Sequence, residues 1–93
     1  MYPRKVPEEA LANIRTKTLV IDKHAALRAL MKISFKKIED VIMFGEIWQE
    51  GKNKFRAVLP IKGGKIAFVI FKEYPDFLEM KTCGVGKRKQ MWG

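Results

Sequence analysis

His24, Arg28 and Lys32 are spaced four residues apart within 22-DKHAALRALMKIS-34. On a helix of about 3.6 residues per turn they stack in a row, with Leu27, Leu30 and Met31 forming an apolar arc beside them. An imidazole is an acid or base near neutral pH. A guanidinium one turn away disfavours its protonated form and leaves a neutral base. The same histidine also suits a plainer role, one structural hydrogen bond near a helix start. Arg56 is the second candidate. It stands mid-strand between Phe55 and Ala57, which face the other way. A guanidinium there can clamp a phosphate through two hydrogen bonds and offset developing charge. It can equally cover apolar surface with its stem. Lys54 shares its face. The third candidate is 87-KRK-89 with Trp92. Lys87 and Arg88 suit phosphate contacts and Trp92 suits base stacking, while a frayed terminus accounts for them as well.

Other chemistries lack their residues. The chain has no glycine-rich phosphate loop ending in Lys and Ser/Thr, and no Ser–His–Asp or Cys–His spacing. Its single cysteine, Cys83, falls in an expected strand and suits a small apolar filler. One Cys and one His cannot build a structural zinc site. No metal ligand set or cofactor motif is present. Glu39 and Asp40 fall on the wet face of a helix. Glu46 and Glu50 flank a strand and can act as bases, with nothing in their spacing to single them out.

The elements that must position these residues follow from patterning. 7-PEEALANIR-15 predicts a short helix, with Pro7 at its start and Glu8 and Glu9 at the positive end of the helix dipole. 17-KTLVI-21 predicts a strand. Asp22 is an N-cap for the helix carrying His24, and Ser34 caps a second helix with Phe35, Ile38, Val41 and Ile42 at helical spacing. Gly45 supplies the stop. The two helices form an αα-hairpin. Alternation then predicts strands at 46–50, 54–61, 65–72 and 77–83, with turns at 51–53, 62–64 and 73–76. The run 65-KIAFVIFK-72 is apolar on both faces and so is the central strand. The expected fold is α+β, a helical hairpin on one face of an about four-stranded antiparallel sheet. The other face carries Lys54 and Arg56, with Lys81 a further candidate. Residues 1–16 read as an N-terminal extension with a short helix, 17–83 as the core and 84–93 as a basic tail, all one domain.

The totals are consistent with this. The chain has 93 residues, 47% hydrophobic and 31% charged, with net charge +9 and pI about 9.9. That size suits one small core. The charge favours a polyanion such as RNA, DNA or an acidic protein, although a lysine-rich proteome produces the same excess. A lone cysteine suits a reducing cytoplasm. The run 66-IAFVIF-71 is too short to span a bilayer, and 1-MYPRKVPEEA-10 has no signal-peptide core. A cytoplasmic protein is expected.

Residues 18–83 resemble domain-of-unknown-function family 4258. The resemblance rests on the run His24, Arg28, Lys32, Ile33, Ser34, continues through Val41, Ile42 and Gly45, and includes Arg56 and Thr82. It implies kinship with the RelE-like toxin nucleases, in which two helices pack on a curved antiparallel sheet. Such proteins cut RNA without a metal, using basic residues to activate the ribose 2′-OH and stabilise the leaving group. The implied partners are RNA, free or ribosome-associated, and an acidic antitoxin covering the basic face. In that reading His24 is the general base, Arg56 neutralises charge on the phosphate, and Arg28, Lys32, Lys54, Lys87 and Arg88 hold the RNA backbone. The chain departs from the pattern at Lys32, where a second arginine is usual, and has no histidine near its C-terminus. The competing reading is a non-catalytic nucleic-acid or protein-interaction module.

Overall fold

Alternating side chains and glycine-rich turns lay down a four-strand antiparallel meander, and the rest of the molecule is built onto it. The structure, a computed structural model, describes residues 4–21 and 34–87. In chain order its elements are β1 (Arg4–Lys5), α1 (Glu8–Thr16), β2 (Thr18–Ile21), α2 (Phe35–Phe44), β3 (Glu46–Gln49), β4 (Lys54–Ile61), β5 (Lys65–Glu73) and β6 (Phe77–Lys87). His24, Arg28, Lys32 and Arg88 lie outside the described residues, as does the first helix of the expected hairpin.

The expected sheet of about four antiparallel strands is corrected to a six-stranded mixed sheet of order β1-β3-β4-β5-β6-β2. β3, β4, β5 and β6 pair antiparallel with one another in sequence order, as patterning predicts. β1 adds antiparallel to β3, and β2 adds parallel to β6, Leu19 opposite Leu78. Both additions pair residues distant in sequence, which local alternation does not report. Two segments assigned to the margins therefore belong to the body. Residues 84–87, expected as tail, complete β6. The N-terminal extension supplies a sheet edge and two core residues, Val6 and Ile14.

The helices follow their end signals. Pro7 is the N-cap of α1, and Glu8 and Glu9 occupy its first turn. The Ser34 hydroxyl accepts from the Lys37 N–H at 3.2 Å and caps α2. α2 buries Ile38, Val41 and Ile42, while Phe35 is exposed. These three join Ile14, Ala57, Val69, Phe71 and Met80 in one buried cluster on a single face of the sheet. Within it the Phe55 and Phe71 rings stack at 5.7 Å.

Gly45 ends α2 for a reason other than left-handed backbone. Its φ is −79°, open to any residue, but a Cβ there would meet the Val41 carbonyl oxygen at 2.3 Å and the Val58 carbonyl oxygen at 2.4 Å. Glycine lets the helix end touch β4. Arg15 from α1 closes the same corner, donating to the carbonyls of Ile42 (3.1 Å) and Gly45 (2.9 Å). A cation thus meets the negative end of α2 and satisfies carbonyls left over by its last turn.

Two features set the strand faces. Pro60 is tolerated inside β4 because it is an even-numbered residue. The Lys54 carbonyl accepts from Glu50 and Gly51 on the β3 side. By alternation Pro60 points the same way, beyond Val58, where β3 has ended. In β6 the register slips between Ile70/Thr82 and Phe71/Met80, leaving Lys81 as a bulge. The slip places Met80 and Cys83, three residues apart, in the same buried cluster.

Candidate nucleic-acid interface

The even-numbered residues of β4 and β5 face away from both described helices. Register aligns them in rows. Trp48, Arg56, Ile70 and Thr82 form one row across β3 to β6. Glu46, Val58, Phe68 and Gly84 form the next. On the other side, Lys54, Lys72, Glu79 and Val20 run across β4, β5, β6 and β2. Val58 and Ile66 are buried on this face too, so its Val58–Ile66 corner is closed to solvent and the accessible part lies around Arg56 and Lys54. Gly84 makes room for an aromatic: its Cβ would lie 3.2 Å from the Phe68 ring.

Arg56 stands on this face. Its Nη2 lies 3.1 Å from Glu50 Oε2, with the two side chains 30% and 22% exposed. The Arg56 Nε is buried and makes no hydrogen bond. The buried Nε is closed to an incoming group, so only the exposed part of the guanidinium, held by one carboxylate, is placed to meet a second oxyanion. Glu50 is oriented in turn by the turn after β3, where its N–H donates to the Lys54 carbonyl at 2.8 Å. Trp48 is fixed by its indole N–H, which donates to Glu46 Oε1 at 2.9 Å. The site therefore offers a clamped cation, a carboxylate, aromatic rings in the same and the adjoining row, and cations at Lys54 and Lys72.

The structure brings some of the expected residues together and separates others. Arg56 and Lys54 share a face, as alternation predicts, and Thr82 lies in the Arg56 row. Lys87 does not join them. It pairs with Lys65 at the far end of β5 and β6, and its alternation places it on the face that carries the helices. Lys81 is the bulge, ion-paired to Glu79 at 2.6 Å. His24, Arg28, Lys32 and Arg88 are outside the described residues. The sequence alone did not single out Trp48 or Lys72, and it showed Glu50 only as a carboxylate flanking a strand that can act as a base. Glu50 lies beyond a strand end, and only the turn brings its carboxylate to Arg56. A Glu six residues before a mid-strand Arg across a short turn is the one local signal that anticipates the pair.

No family model, curated protein or solved structure matches the chain.

Proposed function

We propose that the protein binds single-stranded RNA on the sheet face turned away from both described helices, in the manner of a RelE-like domain, with Arg56 receiving a backbone phosphate. The observation that carries this is Arg56, fixed by Glu50 at 3.1 Å with its side chain 30% exposed beside Trp48, Lys54 and Lys72. Phe68 offers a stacking surface, and Lys54 and Lys72 add charge on the same face. The chain's net charge of +9 draws a polyanion to it.

The same arrangement supports metal-independent cleavage. The 2′-OH attacks the adjacent phosphorus, its proton passes to a base, and the 5′-oxygen leaves with a proton, giving a 2′,3′-cyclic phosphate. Arg56 offsets charge on the phosphorane-like oxygens. His24 is the base in this proposal, and Glu50 is a second acceptor adjacent to Arg56. Arg28 and Lys32 hold the backbone. The test is incubation of mixed RNA in EDTA with the wild type and the His24→Ala, Arg56→Ala and Glu50→Gln variants. The expected result is a cyclic-phosphate product, reduced about 10²–10³-fold by Arg56→Ala. Equal cleavage by Arg56→Ala removes the site.

The engagement of Glu50 with Arg56 also suits a domain that binds without cutting, since the carboxylate then acts only to position the cation. Salt-sensitive binding with no product, indifferent to His24→Ala, selects that reading.

A further inference from the structure

The far end of the β4–β5 hairpin has no acidic residue. From Gly51 to Lys72 the sequence contains no Asp or Glu, and none follows Glu79. The ends of β4, β5 and β6 that meet at this tip therefore carry only cations. Lys62 lies in the turn, where Gly63 and Gly64 take positive φ (+80° and +69°), and it is exposed. Lys65 and Lys87 sit directly opposite each other across β5 and β6, both exposed. Like charges opposed across strands destabilise a sheet. Lys37 and Lys62 border an open trough whose floor is Leu59, Pro60 and Ile61. Three ion pairs of the described residues lie elsewhere: Arg56–Glu50 in the middle of the sheet, Lys17–Glu73 and Lys81–Glu79 toward its opposite end. The chain continues from Lys87 into Arg88 and Lys89, which adds cations in sequence at the strand exit.

This tip is separate from Arg56. Ile70, the cross-strand partner of Arg56, lies five residues from Lys65 along β5. At the rise of an extended strand that is about 17 Å. Lys65 and Lys87 also belong to the alternation that faces the helices, whereas Arg56 belongs to the other. One short oligonucleotide cannot occupy both.

We infer that Lys62, Lys65 and Lys87 form a second anchor for the RNA backbone, so that a long strand bound at Arg56 continues around the end of the hairpin. The inference rests on RNA binding at Arg56 and specifies how much RNA the protein holds. It places no chemistry at the tip. The lysines contact phosphates and read no bases.

Oligonucleotide length separates the two anchors. A strand of about four nucleotides reaches one of them, and a strand of about sixteen spans both. Binding is measured for both lengths, across salt, with the wild type, the Lys62→Gln/Lys65→Gln/Lys87→Gln variant, and Arg56→Ala. The triple variant is expected to bind the long strand at least tenfold more weakly, with a salt slope lower by about 2, since each single-strand phosphate contact contributes about 0.7. Its binding of the short strand is expected to stay unchanged, whereas Arg56→Ala weakens both lengths. Lys65→Glu alone replaces a repelling pair with an attracting one. It is expected to raise the urea midpoint while weakening the long strand, which excludes misfolding as the cause. Unchanged long-strand affinity and slope in the triple variant overturn the second anchor and leave the Arg56 site standing. A wild type that binds neither length overturns both, and one that binds polyglutamate in preference to RNA assigns the tip to an acidic protein instead.

Discussion

At the scale of single residues, the molecule uses small or charged groups where two elements nearly touch. Gly45 is the clearest case, because two backbone carbonyls occupy the space of its missing Cβ. Neither oxygen belongs to a flexible side chain, so the helix end or β4 must move to admit a methyl group. Gly45→Ala is expected to destabilise by about 2 kcal/mol or more, within the range of overpacked sites, as read from urea unfolding. Arg15 joins the same corner from a third element. Arg15→Met keeps much of the stem and removes both hydrogen bonds. A loss of about 1–3 kcal/mol is expected, because hydrogen bonds from a charged donor contribute more than neutral ones. A loss under about 0.5 kcal/mol would show that water replaces the guanidinium at those carbonyls. Arg56 belongs to a different class. Its ion pair with Glu50 is partly exposed, so Glu50→Gln is expected to shift stability by no more than about 1 kcal/mol while changing RNA affinity or turnover.

At the scale of elements, β6 is the strand most altered by its context. Strict alternation through 77-FLEMKTC-83 puts Met80 and Cys83 on opposite faces, yet both belong to the buried cluster. The Lys81 bulge reconciles them. Deleting Lys81 restores ordinary alternation with Met80 and Cys83 still on the helix side. Deleting Val69 from β5, which has no extra residue of its own and pairs with β4 in unbroken register, turns half of the strand inside out. The Lys81 deletion is therefore expected to remain folded with cooperative urea unfolding, and the Val69 deletion to lose it. Equal damage from the two would mean that the bulge itself, with its local bend, supports the sheet. α2 makes the complementary case. Its cap at Ser34 and its buried stripe at Ile38, Val41 and Ile42 were both readable, because capping and helical spacing are local.

At the scale of the whole molecule, charge and topology separate. Net charge depends only on composition, but the six-stranded sheet distributes it. Carboxylates of the described strands cluster near β3 and the β5–β6 turn, and the β4–β5 tip has none. For RNA on the open face, neutralising Lys54 and Arg56 together is expected to lower the salt slope by about 1.4, measured as log affinity against log salt. An unchanged slope places the RNA off this face.

The sequence by itself determined the parts set by neighbours along the chain. The four meander strands, the turns between them, the caps at Pro7 and Ser34, and the shared face of Lys54 and Arg56 all follow from alternation, helical spacing and turn chemistry. Those forces act within a few residues. The tertiary structure decided what depends on contacts between distant segments. β1 finds β3 and β2 finds β6, the supposed N-terminal extension buries Val6 and Ile14, and the supposed tail begins as the end of β6. It also decided the candidate site. Arg56 was visible as a strand-face cation, but its carboxylate partner, its buried Nε and its row with Trp48 and Thr82 exist only once three strand pairings are in place. Side chains from separate strands meet through register, and register is a property of the folded sheet.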